Sequence, residues 1–221
     1  HPAVVDSAHF GDPTAVPDSG NAGDLQPDDM LFIAGTASPS GQPLLIVSSE
    51  VSGSVTLYTV QSSGTLNFTG RYQTSPYAYG VGVGAVSAYD QTRGRLLMVN
   101  RATSSLDVLD IRDVTRLVLS GKLSLAAYGR TPTWVAVQGG VIAVTIEAFP
   151  KTDPGKVLFL NADGSLRAAP ITVGPLPEML TFTPDGKSLV VASAGEANSA
   201  LTIDPPGTIS VINVARALAT K

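Results

Sequence analysis

The chain has 221 residues, 43% of them hydrophobic and 14% charged, with a formal net charge of −4. A charged share below the usual level of about 25% excludes a highly solvated, disordered chain, and singly scattered Lys and Arg leave no electrostatic footprint for nucleic acid. With no cysteine, disulfide frameworks and zinc–thiolate centres are excluded, and no apolar run reaches the ~18 residues of a membrane-spanning helix.

Residues 1–28 read as an extended arm. His1-Pro2, Asp12-Pro13, Pro17-Asp18-Ser19-Gly20 and Pro27-Asp28 fix φ, permit left-handed backbone or remove a donor, and little apolar periodicity links them. A start at His1-Pro2 without Met fits a processed product or part of a longer polypeptide. The pattern then changes. Leu31–Ala34 and Pro43–Val47 are short apolar runs, Gly53–Val60 alternates with period two, and Leu66–Thr69 follows a Ser-Ser-Gly turn. That is one unit of four strands.

The same grammar returns three times. The second unit has Ala85–Tyr89, Arg95–Val99, Ser105–Ile111 and Lys122–Leu125. The third has Thr133–Val137, Val141–Ile146, Lys156–Leu160 and Ala169–Val173, and the fourth Met179–Phe182, Ser188–Ala192 and Thr208–Val214. Turns such as Thr183-Pro184-Asp185-Gly186 and Asn161-Ala162-Asp163-Gly164 place Pro and Gly where φ must be near −65° or positive. Ala215–Ala219 offers at most a terminal turn.

Four short strands repeating every ~45–50 residues predict an all-β fold of β-propeller blades, about four in this chain. An immunoglobulin-like sandwich pair is the alternative. The expected blades are 29–70, 71–128, 129–174 and 175–214, followed by a tail, 215–221. Blades of this length commonly come in rings of six to eight, and an open run of them exposes apolar faces and strand edges. The chain is therefore expected to form part of a larger ring, with other blades supplied by another polypeptide, removed by processing or left out.

The residues Leu176-Pro177-Glu178-Met179-Leu180-Thr181-Phe182-Thr183-Pro184-Asp185-Gly186-Lys187 and Lys151-Thr152-Asp153-Pro154-Gly155-Lys156-Val157 resemble the choice-of-anchor I family. So do Asp107–Ile111 and Ala126–Gly129. These are secreted or surface-anchored β-propellers that include mesenchyme-specific cell-surface glycoproteins. The resemblance covers about residues 71–214. Residues 20–60 are similar to the C-terminal end of that family, through Gly23–Pro27, Ser38–Val47 and Glu50–Gly53. The last blade would then precede the first ones, joined over residues 61–70, as in a circular permutation or a tandem junction. Where the family usually has Asn-Glu after a second strand, this chain has Ser49-Glu50 and Ser193-Ala194; the family's Pro-Glu-Gly is Pro27-Asp28-Asp29. The resemblance thus implies an eroded central-channel site and favours a scaffold.

The residues themselves give little catalytic signal. The only histidines, His1 and His9, lie in the arm, and no Gly-x-Ser-x-Gly elbow precedes a helix. No resident cofactor is expected, and calcium is the one candidate cation, since it takes carboxylate and carbonyl oxygens. Its candidate ligands are Asp28, Asp29, Glu50, Glu147, Glu178 and Glu196, at strand ends or in loops; the alternative is that these are solvated loop acids. Glu147 and Glu178 follow equivalent points in adjacent units and could meet near the axis as an acid–base pair, or cap neighbouring backbone. Asn67-Phe68-Thr69 is an N-glycosylation sequon. The expectation is a non-enzymatic extracellular or cell-surface scaffold or adhesion module that presents loops to partner proteins. A secreted metal-dependent phosphatase or esterase, or a calcium or small-ligand binder, is the alternative.

Overall fold

The computed structural model describes residues 24, 26–74 and 83–220. Most of the expected arm, with both histidines, lies outside them. Among the described residues, fifteen strands and one short helix follow in order. Sheet one is β1 (Pro27–Ile33), β2 (Leu44–Ser49), β3 (Ser54–Val60) and β4 (Leu66–Gln73). Sheet two is β5 (Val83–Asp90), β6 (Arg95–Asn100), β7 (Ser105–Asp110) and β8 (Val118–Ser124). Sheet three is β9 (Thr131–Gln138), β10 (Val141–Glu147), β11 (Pro154–Leu160) and β12 (Ile171–Pro175). Sheet four has β13 (Pro177–Phe182), β14 (Ser188–Ser193) and β15 (Thr208–Asn213). Every sheet is an antiparallel meander in chain order. Each meander is a propeller blade.

Turn chemistry sets these meanders. Gly139 and Gly140, at φ 55° and 76°, join β9 to β10. Two consecutive positive φ values are what a tight type I′ hairpin demands. The strands β1, β5, β9 and β13 begin the four blades and lie side by side in that order. The end at which they begin is called upper here.

Burial shows how the blades stack. In blades two and three the second strands are buried almost throughout: β6 on five of six residues and β10 on six of seven. Alternate residues there point to opposite neighbours. Leu96 and Met98 pack with Ile46 and Leu57 of blade one, while Leu97 and Val99 pack with Val144 and Leu158 of blade three. Phe159, Val157 and Ala143 then face Leu180, Leu189 and Val191 of blade four.

The end blades instead alternate. In β2 and β14, buried and half-buried residues take turns. The far face of blade one carries a cross-strand row, Phe32–Leu45–Tyr58–Phe68, in register through all four strands. The Tyr58 and Phe68 rings meet edge to face, 6.4 Å between centroids. The far face of blade four carries Met179–Ala192–Ile209 and Thr181–Val190–Val211. Phe32 is 59% exposed and Ile209 68%.

Some expected boundaries move. β1 starts at Pro27, inside the expected 1–28 arm, because a bulge lets Pro27 pair with Ser49 before Asp29 pairs with Ser48. The expected 29–70 and 71–128 division cuts β4, which runs to Gln73. Residues 61–70 are likewise not a join between blades: Gln61–Gly64 form a turn and Leu66–Gly70 belong to β4. The 174/175 boundary falls within β12, which ends at Pro175. The 214/215 boundary cuts a helix, α1 (Val214–Ala219), capped by the Asn213 side chain, which accepts from the Arg216 N–H.

Candidate functional site

The four inner strands make a curved wall around a groove of about 390 Å³. Leu31, Val86, Trp134, Val135, Met179 and Leu180 are among its apolar lining. Asp29 and Ser87 interrupt that surface. The Ser87 N–H donates to Asp29 Oδ2 at 3.2 Å, and Ser48 Oγ donates to Ser87 Oγ at 3.2 Å. Burial pushes the Asp29 carboxyl pKa up, outweighing the two backbone N–H bonds, from Ser87 and Met30, that lower it. A carboxyl beside an amide and two hydroxyls lacks the nucleophile–base–orienter sequence of a hydrolase.

The other candidate acids spread over the upper end. Asp28 is exposed on β1 and Glu178 on β13. Glu50 follows β2 and accepts from Arg101 Nη1 at 3.2 Å. Glu147 ends β10, buried, and accepts from Arg130 Nη1 at 2.8 Å. Glu196 lies after β14, against Lys151 Nζ at 2.6 Å. Three of the six are thus neutralised by cations. Among the described residues no three acids or histidines form a group able to hold a metal ion.

Two of these pairs join neighbouring blades. Arg101 belongs to the loop after β6, so Glu50–Arg101 ties blade one to blade two. Lys151–Glu196 ties blade three to blade four. Ser104 Oγ donates to the Arg130 carbonyl at 2.9 Å, extending the belt between blades two and three. The same loops hold apolar side chains in the open. The Arg130 guanidinium lies 5.9 Å from the Phe149 ring centroid, and Phe149 is 81% exposed. In the loop after β14, Asn198 Oδ1 accepts from the Thr202 and Ile203 N–H groups at 2.9 and 3.3 Å. That closed loop presents Leu201, 80% exposed, and Ile203.

Two buried charges were not among the expected site residues. Asp90, ending β5, accepts from Arg93 and Arg95, and Arg95 Nη1 reaches the Ala162 carbonyl of blade three at 3.0 Å. Asp107, inside β7, accepts from Asn100 Nδ2 and faces Lys122 Nζ at 3.3 Å. The signal for the second was an Asp set inside an otherwise apolar run.

The family model of the choice-of-anchor I domain matches residues 85–220 of the chain. The protein belongs to the choice-of-anchor I family. Blade one lies outside the matched residues, so the match covers the choice-of-anchor I chain from β5 to α1. No curated protein matches this choice-of-anchor I chain in sequence. Its fold is similar to that of Kuenenia stuttgartiensis hydrazine synthase, at 19% identity and a TM-score of 0.61, over 88% of this chain and 48% of that one. It is also similar to a Lactobacillus plantarum protein, at 16% identity and TM-score 0.53, over 88% and 51%. A 6-phosphogluconolactonase candidate from Bacteroides uniformis is similar at 11% identity and TM-score 0.53, over 89% and 60%. The chain therefore spans 48% to 60% of the length of these solved chains. These neighbours are β-propellers, and the likeness is one of fold.

Proposed function

We propose that this choice-of-anchor I chain is a non-enzymatic extracellular or cell-surface scaffold whose upper loops dock a partner protein. One observation carries the reading: the upper end is a stapled rim that shows Phe149, Leu201 and Ile203 to solvent while Glu50, Glu147 and Glu196 are held in ion pairs, two of them between blades. A rigid rim with exposed aromatic and aliphatic anchors fits protein recognition, where a few well-placed apolar side chains dominate affinity. The family description, choice-of-anchor I domain, supports placement at the surface. Exposed Asn67, in a sequon on β4, is then a glycan acceptor.

The test is secretion of the chain from a eukaryotic host, followed by co-purification with surface or matrix proteins. The expected result is a stoichiometric complex that the Phe149→Ala/Leu201→Ala double variant weakens at least tenfold, and a glycan lost in Asn67→Gln. Turnover of phosphate esters, carboxylic esters or lactones that requires a divalent cation and disappears in Glu147→Gln would overturn the reading.

A further inference from the structure

We infer that the partner docked at the upper end is a polypeptide segment whose apolar side chains are flanked by Lys or Arg. This rests on the docking reading above and adds the partner's chemistry. The apolar side chains make the surface. Phe149 stands in the loop between β10 and β11, Leu201 and Ile203 in the loop between β14 and β15, and all three are exposed. The Lys151–Glu196 ion pair takes one partner from each loop and holds the two side by side. Leu201 keeps φ at 54°, a left-handed backbone that suits Gly better, and it takes part in none of the three apolar cores. A strained, exposed Leu adds nothing to the packing of the blades and offers an anchor to a ligand.

Charge selects the occupant. The same two loops carry Asp153 and Asp204, exposed and without an ion pair among the described residues. Asp28 and Glu178, exposed at equivalent bulges where β1 and β13 begin, are likewise unpaired. The neighbouring cations are already taken. Arg101, Arg130 and Lys151 are held by Glu50, Glu147 and Glu196, and Lys156, near the start of β11, donates to the Tyr128 carbonyl at 3.2 Å. The opposite end is the reverse. There Asp90, Asp110 and Asp185 each face a Lys or Arg, Asp113 and Asp163 accept from neighbouring hydroxyl and N–H groups, and Arg167 and Arg216 form no ion pair. Residues 1–23 and 75–82, outside the described ones, contain no Lys or Arg. The uncompensated charge around the apolar anchors is therefore negative. An acidic partner would meet like charge, and a neutral one would desolvate the carboxylates without pairing them. A basic one pairs them.

The experiment is selection of a phage-displayed library of random peptides on the immobilised 221-residue chain, followed by fluorescence anisotropy on the selected peptides. The variants are Phe149→Ala/Leu201→Gly, in which Gly suits the φ at 201, and Asp153→Asn/Asp204→Asn. All four side chains are exposed, so both variants keep the fold. The expected result is enrichment of peptides with Lys or Arg beside an aromatic or aliphatic residue. Their affinity falls about tenfold in the first variant, about fivefold in the second, and about tenfold between ~0.05 M and ~0.5 M salt. Peptides that need Phe149 and Leu201 but carry no Lys or Arg, or basic peptides indifferent to Asp153→Asn/Asp204→Asn, overturn this inference and leave the docking reading standing. Peptides of any charge that are indifferent to Phe149→Ala/Leu201→Gly, or no enrichment at all, overturn both.

Discussion

Asp29 shows how one residue can be read from its surroundings. Its carboxylate takes N–H bonds from Ser87 and Met30, yet burial raises its pKa above the ordinary 3.8. The folded chain therefore holds this proton more tightly than the unfolded chain. The stability it contributes is complete below pH 3.8 and is lost as pH rises through the raised folded value. Asp29→Asn keeps an acceptor oxygen for the Ser87 N–H and removes the half-buried charge. It should raise Tm at pH 7, with the gain vanishing by pH 3; thermal melts across that range test it, and an unchanged or lowered Tm at pH 7 contradicts it. Asp110 has the opposite sign. The Arg112 guanidinium holds it down to about 2, so its contribution is present above 3.8 and fades only toward pH 2.

At the scale of elements, β4 is held to blade two by the absence of a side chain. A Cβ on Gly70 would run into the Val114 carbonyl oxygen and the Leu117 side chain. Gly70→Ala should therefore cost about 1–3 kcal/mol, measured as a fall in the urea midpoint at constant slope. A neutral result would show that the loop carrying Val114 yields freely. Gly70 also explains a misreading. It pairs with Leu57 where the β3–β4 register slips. The alternation breaks there, so the strand reads as ended at Thr69, four residues early. The strands themselves were legible because each hides one side, or both, from water, and period two survives in Gly53–Val60 and Ser188–Ala192. The cations of the upper end were not legible. Arg101 lies 51 residues from Glu50 and Lys151 lies 45 from Glu196, and pairs set by blade stacking leave no mark on local spacing.

For the whole molecule, the decisive feature is the contrast between blades covered on both faces and blades covered on one. Solvent sees that contrast as a gradient of opening. Releasing blade four from a single copy gives up one interface, whereas releasing blade three gives up two, as in a short stack of repeats coupled only to neighbours. Amide protons of β14 and β15 should therefore exchange with deuterium at least tenfold faster than those of β10 and β11. In a sealed circle no sheet is terminal. There the fast and slow classes should merge into one, and the exchange clock would register whether the molecule has ends at all.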